Sequence, residues 1–292
     1  MIPSHKSQNR MRKPHWLKRS LPSHPNFGMV RGLLDHYGLH TVCQEAKCPN
    51  QWECFSNRTA TFLIMGSCCT RNCRFCAIEH GSPHRPDAAE PERVARAAAE
   101  MGLAYVVVTS VTRDDLPDGG AWFFAETIRQ IRRLLPEARL EVLIPDLQGD
   151  RPALECILEA GPDVLNHNLE TVARLYERAR PQADYGQSLN LLQQAANLAP
   201  DLPIKSGLML GLGETEPELE RTLQDLRQAG CRILTLGQYL QPGPGQLEVD
   251  RFVEPEEFEA WRQRGLKLGF AEVASGPFVR SSYKAQELFA RT

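Results

Sequence analysis

The sequence has no run of about 18 apolar residues, and its N-terminus lacks the apolar stretch of a secretory signal. These absences predict that the chain neither spans a membrane nor is secreted, so the expected compartment is the cytoplasm. An organellar transit peptide is disfavoured because Pro3, Pro14, Pro22 and Pro25 break any amphipathic helix there. The formal net charge is only -2, so no bulk attraction to nucleic acid or to an anionic membrane is expected.

Common catalytic motifs are missing as well. There is no Walker A pattern, and Gly211–Glu214 is too short for a dinucleotide-binding fingerprint. None of the eight histidines lies in a nucleophile motif such as G-x-S-x-G, and only His167 is predicted at a strand end.

Acidic residues are absent up to Leu34, whereas the basic residues there are Lys6, Arg10, Arg12, Lys13, Lys18, Arg19 and Arg31. Such an arm fits either a mobile solvated segment or a docking arm for an acidic protein partner.

Cysteine is scarce outside one N-terminal segment. The rest of the chain contains only Cys156 and Cys231. The other seven are Cys43, Cys48, Cys54, Cys68, Cys69, Cys73 and Cys76. With 292 residues, 42% of them hydrophobic, the chain has ample material for a core, so a disulfide framework is not expected. The clustering favours metal ligation instead.

The spacing of Cys69, Cys73 and Cys76 is C-x3-C-x2-C, on one short loop after an apolar run. Three such thiolates suit an iron–sulfur cluster that keeps one iron free. The alternative is a zinc site that takes His80 or His84 as its fourth ligand.

A second triplet, Cys43, Cys48 and Cys54, has the spacing C-x4-C-x5-C. Each triplet is one ligand short of four, whereas structural zinc sites are normally closed by four protein ligands. An open position on a redox cluster binds something exchangeable and allows reductive cleavage of a bound cofactor.

From residue 60 onward, short apolar strands alternate with helices of ten to fifteen residues, which indicates a parallel sheet covered by helices. The predicted strands are Ala60–Met65, Tyr105–Val108, Leu140–Ile144, Asp163–Asn166, Ile204–Leu210, Arg232–Leu236 and, more weakly, Gly269–Ala274. The sheet is either doubly wound or an incomplete barrel, and in both folds ligands bind at the carboxyl ends of the strands. Residues 1–30 are expected to form an irregular arm.

With Phe75 beside its last cysteine, the first triplet resembles the signature of radical S-adenosylmethionine enzymes, whose usual fold is a full or partial (βα) barrel. Two features together resemble the lipoyl synthase family more specifically: the second triplet, and the Arg-Ser-Ser-Tyr sequence at 280–283. This resemblance covers nearly the whole chain. It implies an α/β fold with a partial (βα)6-type TIM barrel at 59–275, an N-terminal arm and auxiliary-cluster segment at 1–58, and a C-terminal segment at 276–292 that closes the auxiliary cluster.

The resemblance also implies two [4Fe–4S] clusters and bound S-adenosylmethionine. The first cluster would be held by Cys69, Cys73 and Cys76. The auxiliary cluster would be held by Cys43, Cys48, Cys54 and Ser282, with Ser281 as the alternative serine. Contacts to S-adenosylmethionine would come from Phe75, Asn168, Glu170 and Glu214, although the last three fit equally well as satisfied polar residues of loops. Cys68 is one position off register and is interpreted as structural.

The implied reaction is radical insertion of two sulfur atoms at C6 and C8 of an octanoyl chain on a lysine, with the auxiliary cluster as sulfur donor. The implied partners are octanoylated carrier domains (acyltransferase subunits of 2-oxoacid dehydrogenases and the glycine cleavage H protein), an electron donor such as ferredoxin or flavodoxin, and a cluster-repair protein. Residues Gly243 to Gln246 depart from the basic residues usual in the family, which suggests a divergent copy with different partner binding. Competing interpretations are another sulfur-inserting or methylthiolating radical enzyme and a two-cluster electron carrier or regulatory protein.

Overall fold

The computed structural model describes residues 12–19 and 24–291, and most of its strands belong to one sheet. In chain order the strands are β1 His40–Thr41, β2 Thr61–Ile64, β3 Cys68–Cys69, β4 Glu79–His80, β5 Tyr105–Ser110, β6 Arg139–Leu143, β7 Val164–Asn166, β8 Ile204–Leu210, β9 Ile233–Gln238 and β10 Glu272–Gly276. The main sheet has the order β1-β2-β5-β6-β7-β8-β9-β10, and β3 pairs with β4 in a separate ribbon.

Helices connect the successive strands of the main sheet. They are α1 Pro25–Tyr37, α2 Val42–Glu45, α3 Gln51–Ser56, α4 Glu90–Glu100, α5 Ala121–Leu134, α6 Arg151–Glu159, α7 Tyr176–Ala179, α8 Tyr185–Leu198, α9 Glu216–Gln228, α10 Pro255–Lys267 and α11 Ala285–Phe289. Helix α9 begins with the predicted capping box, in which Thr215 and Glu218 satisfy each other's backbone N–H groups.

The strands from β2 to β10 are parallel to their neighbours and follow one another in chain order. Only β1 departs from this arrangement, since it pairs antiparallel with β2 at one edge. Among the described strands, no pair joins β10 back to that edge, so the barrel wall is incomplete. The predicted α/β fold with a partial TIM-type barrel is confirmed, and the weakly predicted last unit is its seventh parallel strand.

The two faces of β5 are buried by different parts of the chain. Val106 and Val108 belong to the main core, which the sheet forms with the helices on its outer side. Tyr105 and Val107 point the other way and pack against Ala285 of α11. Side chains alternate across a strand, so this second face is the inner one. Helix α11 of the C-terminal segment therefore lies on the inner side of the barrel, against the first half of β5.

The prediction that residues 1–30 are irregular is wrong at its end, because α1 begins at Pro25. Proline is accepted in the first turn of a helix, since that N–H has no partner within the helix. The His24 side chain accepts a hydrogen bond from the Asn26 N–H at 3.2 Å, and Val30 and Leu34, one turn apart, are fully buried. Of the basic residues in the arm, Lys6 and Arg10 lie outside the described residues.

Candidate active site

The first cysteine triplet occupies the connection that leaves β2. The Cys69 sulfur accepts hydrogen bonds from the backbone N–H groups of Arg71 at 3.4 Å and Thr112 at 3.3 Å. The Cys76 sulfur accepts one from the Ile78 N–H at 3.5 Å. Burial raises the pKa of Cys76 to about 12, and the hydrogen bond from the Ile78 N–H opposes that shift.

A buried arginine anchors this loop to the barrel. The Arg71 guanidinium donates two hydrogen bonds to Asp114, at 2.6 and 2.8 Å, and two to Asp146, at 2.6 and 2.7 Å. The Arg71 side chain is 6% exposed and that of Asp146 is 0% exposed. Burial alone would raise the pKa of Asp146, but Arg71 outweighs it and lowers the pKa to about 2. The loop is thus fixed to the segments that follow β5 and β6 by fully charged, bidentate pairs.

A second buried cation, Arg180, lies beside Cys73. Its guanidinium donates to the backbone oxygens of Asn168 at 3.0 Å and Leu169 at 3.3 Å, and to the Tyr176 hydroxyl at 3.2 Å. Burial raises the pKa of Cys73, and Arg180 opposes that shift by a charge interaction and a hydrogen bond. No sequence motif singled out Arg180 for this position.

The second triplet is brought together by α2, the following turn and α3. Cys43 is buried at the start of α2, Cys54 lies on α3, and Cys48 lies between the two helices. Burial is the main cause that raises the pKa of Cys43 and, to about 11, that of Cys54, and the neighbouring Cys48 adds to both shifts by a charge interaction. Cys48 is therefore close to both other cysteines of the triplet.

Thr61 connects Ser282 with this triplet. The Thr61 backbone hydrogen bond to the Cys43 sulfur lowers the pKa of that thiol. The Thr61 hydroxyl donates to the Ser282 Oγ at 2.7 Å. Thr61 thus contacts both Ser282 and the Cys43 thiol, although these two residues lie at opposite ends of the chain.

The wall of this second centre is made from three remote segments. Glu53 accepts hydrogen bonds from the Arg19 guanidinium at 2.6 Å and from the Tyr283 hydroxyl at 2.8 Å. Asn50 donates to the Phe278 backbone oxygen at 2.7 Å, and the Arg19 guanidinium lies 3.9 Å from the centre of the Phe278 ring. Arg19, which belongs to the basic arm, therefore contacts both α3 and the C-terminal segment.

Asn168 and Glu170 stand at the carboxyl end of β7, next to the first triplet. Asn168 Nδ2 donates to Glu170 Oε1 at 3.1 Å, and the Glu170 charge raises the pKa values of Cys73 and Cys76. Glu170 has a φ of 70°, in the left-handed region, and is held there by hydrogen bonds of its N–H to Gly207 O and of its C=O to the Met209 N–H. A strained residue fixed by its neighbours is typical of a functional site.

One cavity of about 750 Å³ is lined by residues of both triplets. The predicted site residues that line it are Cys43, Cys48, Cys54, Phe75, Cys76, Asn168, Glu170, Ser281 and Ser282. The first triplet contributes only Cys76, since Cys69, Cys73 and Glu214 are not among the lining residues. Apolar side chains from the strands, such as Val107, Leu143 and Leu208, form much of the rest. The cavity therefore brings cysteines of both triplets to one largely apolar space.

Glu214 is engaged elsewhere. Its carboxylate accepts hydrogen bonds from the backbone N–H groups of Gly211 at 2.7 Å and Leu212 at 2.9 Å, and so stabilises its own loop. Its predicted contact with S-adenosylmethionine stays a prediction.

The donor set of each triplet fits an iron–sulfur cluster, because all nine cysteines are free and soft thiolates are the ligands such clusters take. Within residues 12–19 and 24–291, no group of three or more His, Cys, Asp or Glu side chains could hold a single metal ion. His80 and His84, the alternative zinc ligands, are exposed to solvent. A cluster makes no such demand, since each of its thiolates binds a different iron.

Comparison with known proteins agrees with this geometry. Residues 63–226 match the model of the radical SAM superfamily, and residues 2–48 match the N-terminal domain of lipoyl synthase of that family. The chain is 57% identical to the lipoyl synthase of Desulfotalea psychrophila, over 100% of this chain and 98% of that protein. It is 53% identical to that of Symbiobacterium thermophilum, over 100% of this chain and 91% of that one. The chain belongs to the lipoyl synthase family.

Lipoyl synthases are sulfur-inserting radical S-adenosylmethionine enzymes, and the chain is an enzyme of this kind. Membership implies one [4Fe–4S] cluster and S-adenosylmethionine.

Solved structures share the fold. Methylornithine synthase has a TM-score of 0.54 at 16% identity, over 82% of this chain and 67% of that chain. A maturase of the [FeFe]-hydrogenase has a TM-score of 0.55 at 16% identity, over 73% of this chain and 55% of that chain. In the part of the chain that the structure describes, no helix is long and apolar enough to cross a membrane.

Proposed function

We propose that this protein inserts sulfur at C6 and C8 of an octanoyl chain that is attached to a lysine of a carrier domain. The single observation that carries the proposal is the shared cavity, which is lined by Cys76 of the first triplet and by Cys43, Cys48 and Cys54 of the second. A substrate chain bound there would be exposed to both cysteine groups. The apolar lining suits an acyl chain.

Cys69, Cys73 and Cys76 are assigned as ligands of the cluster that binds S-adenosylmethionine. Cys43, Cys48, Cys54 and Ser282 are assigned as ligands of a second [4Fe–4S] cluster. The hydrogen bond from Thr61 supports Ser282 over Ser281, because Thr61 also contacts Cys43, whereas Ser281 faces the other centre. Phe75, Asn168 and Glu170 are assigned to the binding of S-adenosylmethionine.

The chemistry requires groups that side chains do not supply. Hydrogens on C6 and C8 are unactivated, so no base of ordinary pKa removes them. When bound, the first cluster supplies the electron that generates a 5′-deoxyadenosyl radical from S-adenosylmethionine, and the second supplies sulfur. The protein holds the acyl chain in the apolar cavity, while Arg180 and the backbone donors around Cys69 stabilise the thiolate ligands.

The decisive experiment is anaerobic incubation of reconstituted enzyme with an octanoyl-lysine peptide, S-adenosylmethionine and a strong reductant. We expect the peptide to gain two sulfur atoms and 5′-deoxyadenosine to be released. A Ser282→Ala variant should lose the sulfur gain, whereas Cys156→Ser, a change on α6 away from both triplets, should keep it. Release of 5′-deoxyadenosine by the wild type without any sulfur gain would refute the proposed reaction.

The proposed partners are octanoylated carrier domains, an electron donor of the ferredoxin or flavodoxin type, and a protein that rebuilds the second cluster. The loop that departs from the family's basic pattern borders the cavity through Leu240, Gln241 and Pro242. Gly245 lies in this loop, and a Cβ there would meet no atom within 4 Å. Gly245→Lys is therefore expected to fold normally and to raise kcat/KM severalfold on an acidic carrier domain in low salt. An equal rate on acidic and neutral carriers would refute this role of the loop.

A further inference from the structure

The C-terminal Arg-Ser-Ser-Tyr segment contacts both cysteine centres through adjacent residues. Ser282 accepts the hydrogen bond from Thr61 beside the second triplet. Ser281 donates to Asn168 Oδ1 at 2.8 Å, and Asn168 in turn donates to Glu170 at 3.1 Å. The amide of Asn168 is thus oriented by Ser281 on its acceptor side and by Glu170 on its donor side.

The two serines cannot move independently. They are the central residues of a turn closed by the hydrogen bond from the Tyr283 N–H to the Arg280 oxygen, at 3.0 Å. Two strand glycines leave room for this turn. A Cβ on Gly207 would lie 3.1 Å from Ser281 Oγ, and one on Gly237 would lie 2.1 Å from the Val279 oxygen. A backbone shift that moves Ser282 away from the second triplet would therefore also move Ser281 relative to Asn168.

We infer that Ser281 is a positioning residue that couples the state of the second cysteine centre to the binding of S-adenosylmethionine, through Asn168 and Glu170. The inference rests on the proposed function, which places S-adenosylmethionine at these two residues. One hydrogen bond of this kind corresponds to about a three- to tenfold change in affinity. Because coupling between two sites is reciprocal, S-adenosylmethionine stabilises the closed turn by the same factor.

The test is a double-mutant cycle on anaerobically reconstituted protein, with the dissociation constant of S-adenosylmethionine measured by equilibrium dialysis. Cys48→Ala removes a ligand of the second centre, and iron analysis verifies that one cluster is lost. In protein that keeps the wild-type Ser281, we expect Cys48→Ala to weaken the binding of S-adenosylmethionine about three- to tenfold. In the Ser281→Ala background binding is already weak, and Cys48→Ala should change it less than about twofold.

Ser281→Thr keeps the hydroxyl donor and should restore the dependence on Cys48. A second readout needs no cluster: in metal-free protein, Ser281→Ala should speed hydrogen exchange at the Glu170 amide and leave the β5 amides unchanged, which also verifies the fold. The inference is overturned if Cys48→Ala weakens binding by the same factor with and without Ser281. Absence of any S-adenosylmethionine binding by wild-type protein would overturn the proposed function together with this inference.

Discussion

The two cysteine centres are held in place in different ways. The first triplet is anchored by Arg71, whose partners Asp114 and Asp146 follow neighbouring strands of the barrel. The carboxylate of Asp146 is fully buried. The second triplet is enclosed by an arginine of the N-terminal arm, a helix and the C-terminal segment. Its central ion pair, Arg19–Glu53, has side chains that are 31% and 34% exposed.

This difference predicts different ways of opening. Breaking a buried, bidentate ion pair leaves an uncompensated charge inside the protein, so the first loop should open only when the barrel unfolds. Half-exposed contacts are readily replaced by water, so the second centre should open locally while the barrel stays folded. The first centre is therefore expected to stay closed as long as the barrel is folded, whereas the second is expected to open locally.

The largest expected effect comes from the first centre. Arg71→Met leaves the buried Asp146 carboxylate without its partner and is expected to lower the free energy of unfolding by about 3–5 kcal/mol. Arg74→Met, an exposed position on the same loop, should change it by less than about 0.5 kcal/mol. Urea unfolding followed by circular dichroism measures both. Equal effects of the two substitutions would remove the contrast between the centres.

The second effect depends on pH. His167 is 1% exposed and faces the guanidinium groups of Arg180 and Arg71, and burial together with Arg180 lowers its pKa to about 4. In the unfolded chain this histidine is protonated below about pH 6.5, whereas in the folded chain it is protonated only below about pH 4. The free energy of unfolding therefore decreases as the pH falls from about 6.5 to about 4. The loss is about 3 kcal/mol between pH 7 and pH 4.

His167→Asn should remove this part of the pH dependence of urea unfolding, while His84→Asn, at an exposed position, should leave it unchanged. Asp146 does not interfere, because its pKa is lowered to about 2 and its contribution is lost only at lower pH. A His167→Asn profile that parallels the wild type between pH 7 and pH 4 would contradict the assignment.

The smallest effect concerns the second centre. Tyr283→Phe removes the hydrogen bond to Glu53 and should speed amide exchange severalfold at 278–284, with a change in global stability below about 1 kcal/mol. Tyr37→Phe is a matched control, since it removes a tyrosine–glutamate hydrogen bond on α1. Unchanged exchange at 278–284 would show that this segment is held by other contacts.

Much of the fold was predictable because each strand is a short apolar run and each helix is bounded by glycine, proline or a capping residue. Helix α1 was missed because Pro25 was interpreted as a breaker, although it stands in the first turn. The two short helices of the second triplet, α2 and α3, carry too few residues to show a period.

The candidate site, like the fold, has some features that the sequence predicts and others that it does not. The cysteine spacing predicts two groups of thiols, but the proximity of Ser282 to Cys43 depends on Thr61, which the sequence gives no reason to select. Arg71 lies in the middle of the first triplet and Asp146 at a strand end, so their pairing could have been proposed from charge and position. The link between Arg19 and Glu53 could not, because it joins a coil to a helix across unrelated segments.

The distance in sequence between Cys43 and Ser282 has a consequence for how the protein is made. The serine follows the cysteine by 239 residues, which corresponds to roughly ten to fifty seconds of synthesis. Asp114 and Asp146, which hold the first loop through Arg71, leave the ribosome well before it. The three thiols of the second triplet therefore emerge long before Ser282, and the contact between Thr61 and Ser282 forms only after every strand of the barrel has been synthesised.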